Sequence, residues 1–383
     1  MRIGRREFLA GSAAAAGLLG AESPLSGEAL YRDIKKYWEF GEHRTASDPD
    51  NLTTEWLTSE LKKAGFEASS PRFTLRQFFP GTCDLTVAGK RIRVFPLWPV
   101  AGTAVVTAPL GPGGIAIERL PYDFGGALSK THPAVGMIQK AAAKGAKALV
   151  LVTEGPVHEI IALNYESEVE RWPIPVVLMA PKDAPGLAER SEATLTIGGM
   201  LMERAVASNA QGLLKRGKKL IIVSTPKSGW FRCAGERGPG IAIWLALARS
   251  VGAQRGGPSY LFTANSGHEL HGLGIKAFLN NAPKPSEVGC WVHLGAGLAT
   301  YAYENGKRLK TADTKRYLTS SADVAPVIAP AFAAIPELAP TTERLLGELR
   351  YLVAAGYRGF SVAAGHRLHH TPIDDPSSTG GDI

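Results

Sequence analysis

Apolar and polar positions along this chain fall into three successive patterns. Over "LYRDIKKYWEFGEHRTASDPDNLTTEWLTSELKKAGF" (30–66) apolar residues recur at helical spacing on either side of a polar loop, which predicts helix, loop, helix. Asp50 or Asn51 is placed to N-cap the second helix and Gly65 to end it. From about residue 67 to 200 short β-rich runs such as "FTLRQFF" and "GTAVVTAP" are broken by Gly and Pro, the pattern of a β-rich module. Within that module, "AVGMIQKAAAKGAKALVLVTE" reads as helix, glycine turn and buried strand.

Beyond about residue 204 continuous apolar strands alternate with helices. "KKLIIVSTP", "PSYLFTANS" and "VGCWVHLGAG" are strands covered on both faces, with "GPGIAIWLALARSV" and "LGIKAFLNNA" as helices between them. "TERLLGELRYLVAAGYRGFSVAAG" reads as helix then strand. The expected fold is therefore α/β with a doubly wound, mostly parallel sheet. Sites in such sheets form at the carboxyl ends of strands, where Thr225, Glu236, His268, Glu269, His293 and His370 all fall.

The first residues, "MRIGRREFLAGSAAAAGLLGAES", do not belong to this alternation. Arg5 and Arg6 precede Phe8-Leu9, a weakly apolar Ala/Gly/Leu run and small residues at Gly20-Ala21. This is the form of a twin-arginine export signal, so residues 1–21 are expected to be removed and the protein to be periplasmic or extracellular. The remainder divides into an α/β domain of residues 22–70 plus 203–383 and a β-rich insert of residues 71–202.

Composition narrows the classes. The 383 residues are 45% hydrophobic and 20% charged, enough for a sizeable core. No later stretch approaches the roughly 20 apolar residues of a membrane span. Loss of the leader would lower the formal charge from +8 to about +6. The basic residues are scattered apart from "LKRGKKL", and none interleave with aromatics as in a nucleic-acid groove. Cys83, Cys233 and Cys290 lie far apart, without metal-ribbon spacing, and allow at most one disulfide.

The order of the elements, the "EHRTASDPDN" loop and the "KAAAKGAKALVLV" core of the insert together resemble the zinc-dependent exopeptidases of metallopeptidase family twenty-eight, with an insert similar to a protease-associated domain. The resemblance covers the whole mature chain. It implies two zinc ions held by a His-x-Asp after one strand, an Asp at the opening of the next helix, a Glu-Glu pair, a further Asp and a C-terminal His, with the first Glu as general base. Thr225 and Lys227 stand where the His and Asp belong. Glu236 falls at the bridging carboxylate, His268 at the base, Glu269 at a ligand position and His293 in place of the last Asp. His370-Thr371-Pro372 keeps the terminal motif.

The implied two-zinc site is therefore altered. One divalent metal, zinc as in the resembled family, is expected on Glu236, His293 and His370, with His268 and Glu269 as the catalytic pair. His268, Glu269 and His293 form an alternative ligand set, and a metal-free polar cluster is a third possibility. Arg237, Thr225 and Cys233 are the candidates for contacting substrate. Arg237 could replace a lost metal beside Glu236 and leave a carboxylate- or amide-binding pocket. Cys233 with His268 could instead form a metal-free hydrolase, although an isolated cysteine is more commonly a small buried hydrophobe. His271 contributes or faces solvent, and His366 and His369 flank the motif without being assigned as ligands. Arg44 and Ser47 order their loop, while His43, His132 and His158 take surface placement by default. The expected substrate is a small peptide or related amide.

Overall fold

A computed structural model describes residues 23–383 apart from 124–126, 167–168 and 314. Residues 1–21, read above as an export signal, lie outside the described residues. The main sheet has eight strands. Its centre is parallel: Ser259–Asn265, Leu220–Pro226, Val288–Leu294 and Gly359–Ala364 lie side by side in that order. Antiparallel strands flank this centre, Ala210–Leu214 beside Ser259–Asn265 and Arg316–Ser320 beside Gly359–Ala364.

Both faces are covered, which explains the continuous apolar runs. Val223 and Phe262 pack with Trp244 of the helix Gly238–Ala253. Ile222 and Trp291 pack on the opposite face with Phe278 of Leu273–Leu279 and with Leu349 and Leu352 of Leu349–Ala354. The sheet is doubly wound, as the alternation predicts. No helix among the described residues is long and apolar enough to cross a membrane.

A second, seven-stranded sheet is built from residues 72–208. Its long strands Arg72–Val87 and Glu192–Ser208 pair antiparallel and end against the main domain. Helix Pro133–Ala143 lies on this sheet, and one hydrophobic cluster runs from Leu149 and Val177 through Phe95 and Phe231 to Trp244. At this junction Arg44 is buried, its guanidinium 5.0 Å from the ring centres of both Phe95 and Trp230. The loop around Arg44 thus joins the second sheet to the main domain.

Several local expectations need correction. The second helix is Asp48–Lys63 and its N-cap is Ser47, whose side chain accepts from the backbone of Asp50. Asp50 does not cap because its carboxylate turns inward to Lys227 and Ser266. His43 and His132 are buried rather than superficial. His43 stacks on Tyr37 with ring centres 3.7 Å apart, and His132 caps helix Pro133–Ala143. The predicted helix within 342–355 is reduced to Leu349–Ala354, because the preceding residues form a strap over the site. All three cysteines are free.

Candidate active site

The strand Leu220–Pro226 leads into a loop that opens the helix Gly238–Ala253, and this loop presents Glu236 and Arg237. Asp374, near the C-terminus, holds the loop in place by accepting from the backbone N–H groups of Gly235 and Glu236, both at 2.9 Å. A side chain at Gly235 would collide with Ser378 and Asp374, so only glycine permits this approach. Gly240 is equally constrained: an added Cβ would lie 2.9 Å from the carbonyl oxygen of Gly295.

Glu236 is fully buried. Its Oε2 accepts from the backbone of His370 at 3.3 Å, while Oε1 lies 3.4 Å from His370 Nε2. His370 Nδ1 is 2.9 Å from the carbonyl oxygen of Ala162, an acceptor only, so the ring proton sits on Nδ1 and the Nε2 lone pair faces Glu236. Neither Glu236 Oε1 nor His370 Nε2 has a hydrogen-bond partner. Glu236, His369 and His370 bring three potential ligand atoms within 4.8 Å of one another. His369 stacks on His370 with ring centres 3.9 Å apart.

Arg237 sits between two carboxylates. Its Nη2 donates to Glu269 Oε1 at 2.7 Å and lies 2.9 Å from Glu236 Oε1 without hydrogen-bond alignment. Burial works against each charge. It raises the Glu236 pKa, but Arg237 and then His370 outweigh it and hold that carboxyl well below its ordinary range. Burial likewise opposes the Arg237 cation, which Glu236 and Glu269 more than restore. Glu269 is also engaged by Ser228, whose hydroxyl donates to Oε2 at 2.6 Å.

The site's second histidine arrangement comes from a different part of the sheet. His268 Nδ1 lies 3.3 Å from Oε1 of the fully buried Glu348, whose Oε2 accepts from Asn265. Burial raises the Glu348 pKa, but the hydrogen bond and charge of His268 bring it below its ordinary value. His268 is thus backed by an ionised carboxylate, the arrangement that orients a general base. His293, expected with Glu236 and His370, is not in their group. Its Nδ1 contacts Ser224 Oγ at 2.9 Å, and burial first of all lowers its pKa to about 4.

Arg237, His268, His293, His369 and His370 line one cavity of about 390 Å3. A larger cavity of about 620 Å3 lies in the second-sheet region, lined by Arg119, Lys140 and Lys144, with no histidine. The smaller one is where the reactive groups converge. The β-rich module forms part of its wall through Asn164 and Glu166, and Arg350 pairs with Glu166.

Two sequence candidates stand apart. Thr225 is buried and donates to the carbonyl of Leu294 at 2.9 Å, so its hydroxyl serves the sheet. Cys233 is buried and is not among the residues lining the cavity. Burial, then Glu236 and Asp374, push its thiol well above the ordinary range. Nearby, Lys227 is fully buried and donates to the backbone carbonyl and the carboxylate of Asp50. Sequence reasoning missed Glu348, Ser228, Asp374 and the ligand geometry of His369. The one signal in the sequence was the His369-His370 doublet; Glu348 looks like any solvated helical glutamate.

No family model and no curated protein matches the chain. Its structural likenesses are clear. BSAP, a zinc aminopeptidase from Bacillus subtilis, superposes with a TM-score of 0.75 at 18% identity, covering 94% of this chain and 92% of that one. An aminopeptidase from an Aneurinibacillus species gives 0.64 at 15%, covering 93% and 90%. A glutaminyl cyclase from Tannerella forsythia gives 0.51 at 9%, covering 94% of each chain. The fold is that of the zinc-dependent exopeptidases. Because a cyclase shares it, the reaction must be argued from the site.

Proposed function

We propose that the chain is a hydrolase of an amide bond in a small peptide or related amide, working with one divalent metal. The observation that carries this reading is the pair of buried acceptors, Glu236 Oε1 and His370 Nε2, 3.4 Å apart with no proton donor aligned between them. Burial lowers the His370 pKa, which argues against a bound proton as the shared cation. Two buried acceptors at this separation suit a cation shared between them. Glu236, His369 and His370 would hold it, and two imidazoles with one carboxylate form a catalytic zinc donor set. A zinc ion there would polarise the amide carbonyl and acidify a water molecule.

The chain's own residues supply the proton chemistry. Glu348 accepts from His268 Nδ1, leaving Nε2 as the base that takes a proton from the attacking water. The same nitrogen then returns that proton to the departing amine. Arg237 locks Glu269 and balances the carboxylates, while Ala162 holds the His370 ring. The β-rich module, which resembles a protease-associated domain, would wall the substrate cavity. Delivery by the twin-arginine route would place this activity outside the cytoplasm.

A second reading rests on Arg237. Its guanidinium already stands 2.9 Å from the Glu236 oxygen that a metal would use, as expected of a metal-free binding pocket. Elemental analysis of unchelated protein separates the two. About one zinc per chain, with peptide hydrolysis reduced roughly 10²–10⁴-fold by His268→Ala, supports the hydrolase. Protein without zinc that gains neither metal nor activity on zinc addition leaves the binding reading.

A further inference from the structure

We propose that His293 is a fixed hydrogen-bond donor for a substrate oxygen, a carboxylate or an amide carbonyl, at the base of the cavity. The inference deepens the reading of this cavity as the reactive site. It begins with Trp291, whose indole nitrogen can only donate and does so to Ser224 Oγ at 2.8 Å. Ser224 is fully buried, and its hydroxyl has one other partner, His293 Nδ1 at 2.9 Å. The Ser224 proton has nowhere else to go. It is donated to Nδ1, which must then be the bare nitrogen, and the ring proton sits on Nε2.

That Nε2–H is buried and has no partner. Glu348, the carboxylate acting most strongly on the ring, is already engaged by His268 and Asn265. The neighbour of Nε2 is Gly347, where even a Cβ would come within 3.3 Å. Both residues line the cavity. Burial keeps the ring neutral, as a donor rather than a diffuse charge. A neutral imidazole with its lone pair turned towards Ser224 cannot offer Nε2 to a metal. His293 also lies outside the group formed by Glu236, His369 and His370. An unpartnered N–H on a ring fixed by Ser224 matches the requirement for stabilising a substrate oxygen.

Long-range proton–nitrogen correlation spectra of the uniformly ¹⁵N-labelled full chain read the tautomer directly, with His293→Gln identifying the resonances. The expected result is a proton on Nε2 and a bare Nδ1, both before and after zinc is added. Acetate, titrated at constant ionic strength against chloride, should shift the Nε2–H signal saturably. Ser224→Ala should weaken the acetate response roughly tenfold, and Ser224→Thr should restore it. A proton on Nδ1, loss of the Nε2 proton to zinc, or indifference to acetate overturns the proposal. The metal reading is judged separately on the His369 and His370 resonances. If these ignore zinc while His293 behaves as expected, the one-metal hydrolase fails and the donor stands.

Discussion

Two neighbouring regions of this molecule solve the same electrostatic problem differently. Around Glu236 and His370, two acceptors face one another at 3.4 Å without an aligned donor. Around Asp50, the carboxylate is answered from within the chain: Lys227 donates to it, Ser266 Oγ donates at 2.5 Å and the backbone of Ala46 at 2.9 Å. There a buried ammonium supplies the positive charge, and it comes together with its carboxylate and hydrogen bonds.

The largest expected effect tests the first region. His370→Ala should abolish stoichiometric zinc and lower peptide hydrolysis by about 10³-fold or more, several kcal/mol of lost transition-state stabilisation. Metal content and kcat/KM measured on the same preparation check it, and unchanged zinc would break the contrast between the two regions.

Acid should reach both regions, to different depths. Burial, then the Lys227 charge, holds the His43 pKa at about 3, and burial holds His293 at about 4. Both rings are neutral when folded and take up protons near their ordinary value once unfolded. Their stabilisation is therefore complete above roughly pH 6.5 and is lost as pH falls, the His293 part by about 4 and the His43 part by about 3. Every pH unit separating a ring's folded and unfolded pKa corresponds to about 1.4 kcal/mol, so the two rings together contribute several kcal/mol. Urea denaturation of the chelated protein from pH 7.5 to 4 should show it, and a flat profile would refute it.

Lys227→Met tests the second region alone. It leaves Asp50 buried without its cation and should cost about 3–5 kcal/mol in stability, with zinc content unchanged. Lys227→Met combined with Asp50→Asn should recover part of that loss in the same denaturation assay. A change in zinc content in the single variant would show that the two regions are coupled.

The smallest effect concerns Cys233. The thiol is buried and its ionisation is suppressed, so Cys233→Ala should leave hydrolysis unchanged and cost about 1 kcal/mol or less of stability. A large loss of activity in zinc-free protein would instead make Cys233 the nucleophile.

Most of the scaffold was legible because it depends on local periodicity. The apolar runs at 220–226, 259–265 and 288–294 could be buried on both faces only in a parallel, doubly wound sheet, and they are. Asp50 was one of two expected caps of the second helix, but Ser47 caps it because Lys227, distant in sequence, draws the aspartate inward. The strap before Leu349 looked helical because its charges fit a solvated helix face. Glu348 is instead the buried partner of His268.

The sequence by itself determined the order of strands and helices and the likeness to the zinc-dependent exopeptidase fold, and it singled out Glu236, His268, His293 and His370 as candidates. Only the tertiary structure decided which of these meet. His369 joins Glu236 and His370, whereas His293 turns to Ser224, which itself accepts from Trp291. The physical reason is that backbone periodicity and side-chain hydrophobicity act over a few residues. A lone pair's orientation depends on donors and acceptors supplied by distant segments, here the carbonyl of Ala162 in the second sheet region and the hydroxyl of Ser224 on the adjacent strand.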